Sequence, residues 1–308
     1  MSLGAIPGTG PATSPLPVIK KSTVKTFDSL PKDRTLVMGI LNVTEDSFSD
    51  GGKYLNFDDA IQHGLRMMYA GADIIDVGGE STRPGADFVA PEDEAKRVVP
   101  VVAALVKAGA VVSVDTVHTS TARAALDAGA HIINDVSGLT HEPDMPALIA
   151  ERGVPYVLMH RRGDQQSMTG LTEYTDVLED VVAELKQVRE TFLQAGVKPE
   201  KIIIDPGLGF AKDARHNWEL LKNLDKLQEL GHPVLIGTSR KRFLGSLLAA
   251  NGKPAAPAER DHATAATTTL SAAQGAWAVR VHNIEESLDA VKVATAWTKP
   301  ETVALAKQ

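Results

Sequence analysis

Residues 108–135 read AGAVVSVDTVHTSTARAALDAGAHIIND. Two short apolar runs, AVVSVD (110–115) and HIIND (131–135), frame a segment of helical character. An Ala-Gly-Ala triplet introduces each run, at Gly109 and Gly129, and a third stands at Gly71. These triplets read as repeated helix-to-strand turns. Outward from this stretch lie six more runs: TLVMGIL (35–41), ADIIDVG (72–78), PYVLMH (155–160), KIIID (201–205), PVLIGT (233–238) and WAVRVH (277–282). All are nearly continuous in apolar residues rather than alternating. That is the pattern of parallel strands buried on both faces.

Helical segments lie between the runs. The clearest is 173–194, where Leu178, Val181, Val182, Leu185, Val188 and Phe192 fall on one face. Gly196 follows as its stop, and Pro199 prevents continuation. Another runs from about Asp58 to Ala70, with Ile61, Leu65 and Met68 at helical spacing. Strand then helix, eight times over, is compatible with a doubly wound open sheet or a closed barrel. Eight units between residues 35 and 298 favour a single-domain (β/α)8 TIM barrel spanning 35–300. Residues 1–34, rich in Gly, Pro and Ser near the start, read as a flexible tail and N-terminal extension. The Ala/Thr-rich segment 259–275 reads as barrel wall, with a dimer contact as the alternative.

The 308 residues are 43% hydrophobic, ample for one large core, and carry a formal charge of −7. That sign argues against a nucleic-acid protein. It leaves room for a small anion, because local charge can oppose the global sign. No cysteine is present, which removes disulfides, thiolate metal sites and thiol nucleophiles and suits a cytoplasmic location. No apolar run approaches the ~18 residues of a membrane helix.

In an α/β barrel the chemistry collects at the C-terminal ends of the strands. The polar residues there are Asn42, Glu80 to Arg83, Asp115, Asn134, Asp135, His160, Asp205, Ser239 to Arg242, Arg280 and His282. Asp115, Asn134, Asp205 and Lys241 suit a flat heterocycle rich in N–H groups. Asn42, Thr82, Arg83, Arg280 and His282 suit a polyanion. A hydrogen-bonding ring beside a polyanionic leaving group implies group transfer. Read alone, Asp115 is equally a helix N-cap and Asn134 equally a turn residue. His160 reads as a core-edge histidine, and Asp76, Asp135 and Arg240 as loop braces.

Seven strings lie in order at strand ends: MGILNVTEDSFSDGG (38–52), GADIIDVGGESTRPG (71–85), SVDT (113–116), INDVSG (133–138), DPGLGFAK (205–212), TSRKRFLG (238–245) and RVHN (280–283). Singly they are weak; as an ordered series the chain resembles the dihydropteroate synthases over about 35–295. The resemblance implies a transferase of folate biosynthesis. It would join 6-hydroxymethyl-7,8-dihydropterin pyrophosphate to 4-aminobenzoate, with Mg²⁺ and as a homodimer. It implies catalytic roles for Asp115, Asp205 and Lys241. Asp115, Asn134, Asp205 and Lys241 would hold the pterin, with Met159 and Arg280 against its ring faces. Asn42, Thr82, Arg83, Arg280 and His282 would surround the pyrophosphate, and Asn42 would be the protein ligand to the metal. Phe48, Thr82, Pro84, Phe210, Lys241 and Arg242 would form the 4-aminobenzoate pocket, where sulfonamides compete. Some members carry Ser where this chain has Arg242. The carboxylate contact there could come from a backbone N–H or from this side chain. The first two strings correspond to the family's long mobile loops.

Two other readings stay open. One is a pterin-dependent methyltransferase domain, which has no need of the STRPG and SRKR segments. The other is a catalytically silent paralogue that keeps the pocket. A phosphosugar aldolase of the same fold would need a Schiff-base lysine near the C-terminal end of a strand, and no run offers one.

Overall fold

The computed structural model describes residues 26–44, 53–83 and 85–302. Most of the expected tail, Phe48 with its surrounding loop, and Pro84 lie outside the described residues. All eight expected strands form: β1 Leu36–Asn42, β2 Ile74–Gly78, β3 Val112–Asp115, β4 Ile132–Asp135, β5 Tyr156–Met159, β6 Ile202–Asp205, β7 Leu235–Ile236 and β8 Ala278–Val281. They pair in parallel in the order β6-β5-β4-β3-β2-β1-β8-β7. A parallel bridge between Ile204 and Val234 joins the two outer strands. There the Ile204 N–H donates to the Pro233 carbonyl at 2.8 Å, which closes the sheet into a barrel.

Helices follow the strands: α1 Lys53–Tyr69, α2 Pro91–Lys107, α3 Thr119–Asp127, α4 Met145–Arg152 and α5 Val177–Gln194. After β6 come α6 Ala214–Lys222 and α7 Leu224–Gln228, after β7 come α8 Arg242–Leu247 and α9 Asp261–Ala273, and α10 Ile284–Thr298 ends the barrel. The local sequence explains the boundaries. α2 starts with proline at its first position and three acidic residues in its first turn, which suits the positive end of the helix dipole. It buries Val98, Val101, Val102 and Leu105, one stripe at helical spacing. α5 begins later than the expected residue 173 because Asp176 caps it, accepting from the N–H groups of Leu178 and Glu179. The Ala-Gly-Ala triplets are helix stops: Gly71, Gly109 and Gly129 have φ of +104°, +91° and +100°, a region open to glycine.

Strand alternation sorts side chains into two cores. Val37, Ile75, Val112, Ile133, Leu158, Ile204 and Val279 point outward and pack beneath the helices. Leu36, Met38, Ile74, Val111, Ile132, Val157, Ile203, Leu235 and Ala278 fill the barrel lumen. Each fully buried Leu, Ile or Val contributes about 1.5–3 kcal/mol. Leu30 and Phe27 extend the lumen cluster at its lower end, Phe27 lying 6.2 Å from the Trp277 ring. In α9, Thr264, Thr267, Thr268 and Ser271 are buried, as expected of a barrel wall.

Candidate active site

Above the apolar lumen the inward positions turn polar: Asp76 on β2, Ser113 and Asp115 on β3, Asn134 on β4, Asp205 on β6 and Arg280 on β8, all but Arg280 buried. Arg280 organises this layer. Its Nε donates to Asp76 Oδ2 at 2.6 Å and its Nη2 to Asp115 Oδ2 at 2.7 Å. Asn134 Nδ2 donates to the same Asp76 oxygen at 3.0 Å. This leaves Asp76 Oδ1, Asp115 Oδ1, Asn134 Oδ1 and Ser113 Oγ buried without a hydrogen-bond partner. Four unpartnered polar atoms in one layer are costly, and three of them, on Asp76, Asp115 and Asn134, are acceptors that a ligand with N–H groups would satisfy.

The electrostatics agree with the packing. Burial pushes the Asp115 carboxyl up to about 7 despite the opposing pull of Arg280. Burial also works against the Arg280 charge, but Asp76 and Asp115 outweigh it and raise the guanidinium. The Asp205 carboxyl is raised by burial, with Lys241 opposing. Lys241 in turn is pulled down to about 8 by burial, with Asp205 opposing.

Lys241 stands at the N-cap of α8 and donates its Nζ to the Leu208 carbonyl. Phe210 faces it, with Nζ 5.0 Å from the ring centroid. Gly237 lies between the two cations: a Cβ there would sit 3.6 Å from Lys241 Nζ and 3.9 Å from Arg280 Cβ. Asp115, Asp205, Lys241 and Arg280 therefore meet at one mouth of the barrel. Met159, at the end of β5, is buried on the same inward side.

The polyanion candidates lie toward β1 and β8. Asn42 ends β1 with its side chain exposed. His282 Nδ1 pairs with Ser239 Oγ at 2.9 Å. Burial, and then the charges of Arg240, Arg280 and Arg83, pull this imidazole down to about 3, so it is neutral. Thr82 is half-buried beside Asp115 and Arg161, and Arg83 is exposed. Among the 4-aminobenzoate candidates, Phe210 is half-buried and Arg242, the first residue of α8, is exposed. Phe48 and Pro84 lie outside the described residues.

The braces are visible too. Arg240 grips Asp261 through Nε and Nη2, both at 2.7 Å. Asp135 accepts from Ser137 N and Tyr156 Oη, both at 2.7 Å. Asp76, read only as a brace from sequence, sits at the centre of the polar layer. The signal was available: Asp76 and Gly78 share strand parity with the lumen residue Ile74, whereas Asp135 follows the parity of the outward Ile133. Ser113, inside β3, is not among the strand-end candidates read from sequence, and Ser239 stands among them only with its neighbours.

Residues 38–282 match the sequence model of the pterin binding enzymes. A dihydropteroate synthase of Mycobacterium leprae is 52% identical over 263 residues, covering 85% of this chain and 93% of that protein. The chain belongs to the dihydropteroate synthases. Among solved structures of that family, the Xanthomonas albilineans enzyme with 4-aminobenzoic acid superposes with a TM-score of 0.79 at 41% identity, covering 88% of this chain and 95% of the other. The same enzyme in complex with 7,8-dihydropteroate gives 0.78 at 39% identity, covering 89% and 97%. As a member of the dihydropteroate synthases, the chain is a transferase with small-molecule substrates. Among the described residues no helix is long and apolar enough to cross a membrane.

Proposed function

We propose that this dihydropteroate synthase condenses 6-hydroxymethyl-7,8-dihydropterin pyrophosphate with 4-aminobenzoate, giving 7,8-dihydropteroate and pyrophosphate, through the residues gathered at the barrel mouth. The observation that carries this reading is the set of unpartnered acceptors, Asp115 Oδ1, Asn134 Oδ1 and Asp76 Oδ1, on side chains that Arg280 and Asn134 link into one hydrogen-bonded layer. A pterin edge rich in N–H groups satisfies such acceptors. Asp205 reads the ring from the β6 side, with Lys241 on an acceptor of the ring and Met159 and Arg280 against its faces.

The C–O bond to pyrophosphate breaks first, and the electron pair leaves with the anion. The resulting methylene cation is conjugated to the ring. Asp115 and Asp205, buried and preorganised, offer it negative potential without solvent reorganisation. The arylamine lone pair then forms the C–N bond, and its proton departs to solvent. An arylamine is a competent nucleophile, so no strong base is required. Asn42, Thr82, Arg83, Arg280 and the neutral His282 form the anion side. Phe210, Lys241, Arg242, Thr82 and, outside the described residues, Phe48 and Pro84 form the 4-aminobenzoate side, where sulfonamides compete.

Mg²⁺ fits this anion side. Among the described residues no three His, Cys, Asp or Glu side chains group to cage a metal. Asn42 is a lone oxygen donor at a strand end, and Mg²⁺ commonly binds through one or two protein oxygens plus substrate phosphates. When bound, it offsets charge on the departing pyrophosphate. The exposed Leu270 of α9, with Val293 and Trp297 of α10, supports a homodimer through these helices. Lack of cysteine supports a cytoplasmic location.

Incubation of the chain with both substrates and Mg²⁺ should yield dihydropteroate and pyrophosphate in equal amounts. Tight pterin binding without product would favour the silent paralogue instead.

A further inference from the structure

Lys212, beyond the end of β6, is buried away from solvent yet charged chemistry surrounds it. Its Nζ lies 2.8 Å from His160 Nδ1, 3.1 Å from the Gly207 carbonyl and 3.0 Å from the Phe210 carbonyl. Three acceptors match the three N–H bonds of an ammonium. His160 Nδ1 is then the acceptor, so the imidazole is neutral and its Nε2–H donates to Glu184 Oε2 at 2.8 Å. Burial, followed by the Lys212 charge, holds this imidazole down at about 4, in agreement. Burial works to raise Glu184, but its bonds to His160 and Arg162 prevail and hold the carboxyl at about 2. Burial lowers the Lys212 amine well below the ordinary lysine range, with Asp205 opposing; the three acceptors within hydrogen-bond reach are what favour the ammonium there. The result is a hydrogen-bonded chain, Lys212–His160–Glu184, running from beneath the mouth to α5.

The two carbonyls that Lys212 ties belong to the turn that builds one side of the site. That turn places the Leu208 carbonyl on Lys241 and the Phe210 ring beside it. Its backbone is unusual: Gly207, Gly209 and Ala211 have φ of +66°, +79° and +50°. Glycine takes such φ freely, but at Ala211 it persists only where surrounding contacts over-determine it.

We propose that Lys212, oriented by His160 and Glu184, is a positioning residue for the arylamine half of the reaction. It holds the backbone of Gly207 and Phe210, and so the Phe210 ring on the 4-aminobenzoate side, without touching substrate. The inference rests on the 4-aminobenzoate reading above. Two other anchors, Asn217 Oδ1 accepting from Gly209 N at 2.7 Å and Tyr174 Oη donating to the Ala211 carbonyl at 2.9 Å, hold the turn from outside. They supply the rival account, in which Lys212 matters for stability alone.

The test begins with turnover by the unaltered enzyme; absence of dihydropteroate there would count against the reaction, not against the role of Lys212. Lys212→Met keeps the length and removes the charge. Per folded enzyme, its KM for 4-aminobenzoate should rise at least tenfold, while the Kd of the pterin pyrophosphate changes less than threefold. Should Lys212→Met not fold, Glu184→Gln should raise the same KM about threefold with pterin Kd unmoved. A folded Lys212→Met with both constants near those of the unaltered enzyme overturns the proposal. So does equal weakening of both ligands, or an unchanged KM in Glu184→Gln.

Discussion

Two carboxylates share Arg280, and its guanidinium is the charge on which the polar layer depends. Arg280→Met would leave Asp76 and Asp115 buried without their cation. Loss of one partner from a buried pair costs roughly 3 kcal/mol or more. Denaturant unfolding should show a drop of that size together with at least tenfold weaker pterin binding; a stability change below about 1 kcal/mol would show that solvent already screens the pair. Asp205→Asn should reduce pterin affinity by one to two orders of magnitude with the fold intact, about 1–3 kcal/mol for one misplaced contact. Calorimetry with the pterin pyrophosphate decides it. Lys241 gives a pH signature. Its folded value near 8 lies below the ordinary lysine value of 10.5. Between these values the unfolded chain holds a proton that the folded chain has shed. This group's contribution to stability therefore improves as pH rises through that window. With Lys241 in its proposed role the ammonium is the working form, and activity should then fall from about pH 8 upward. Parallel pH–rate and pH–stability curves would contradict the assignment, and Lys241→Met should flatten the difference. At this scale the sequence was legible where a strand end carried a charge. Asp76, two residues short of a strand end, reads only as a brace, and nothing marks Lys212, whose partners are His160 and two backbone carbonyls that the fold brings to it.

The element that shapes the site most is the turn from β6 to α6. Gly207 is packed so tightly against β5 that a Cβ would meet the His160 carbonyl oxygen at 1.8 Å. Gly207→Ala must displace backbone, and should cost about 2–4 kcal/mol, at the upper end of single substitutions. Thermal unfolding measures it; a loss under about 0.5 kcal/mol would mean the turn gives way easily. The string DPGLGFAK marked this turn in the sequence, but its shape depends on β5, distant along the chain. Helix positions were readable from apolar spacing, as in α5, and stops from glycine. Starts were not, where a cap such as Asp176 trims the periodic run. The region after β7 reads as one loop and one helix, yet it folds as α8, an irregular stretch and α9, because Arg240 and Arg260 pull the chain back onto the barrel.

Across the whole molecule, the two ends of the barrel do different work. At the end away from the chemistry, Arg34 donates twice to Asp73 at 2.8 Å, and Asp73 also accepts from the Val37 N–H at 2.8 Å. Asp73→Ala should cost about 1–3 kcal/mol of stability. Its turnover per folded molecule should stay unchanged; a lowered kcat in the folded fraction would show the ends to be coupled. Barrel closure was legible as eight repeated units. The seam itself was not, because it rests on one bridge between Ile204 and Val234 rather than on a long strand. The lumen beneath the polar layer is solid with Leu36, Met38, Ile74, Val111 and their neighbours, and Leu30 stoppers its base. Nothing passes through such a barrel, so both reactants and both products share one doorway. On the proposed placement the pterin would sit deepest, so it would have to arrive before the arylamine and could not depart until whatever lay above it had gone, which would make queueing order a property of the architecture.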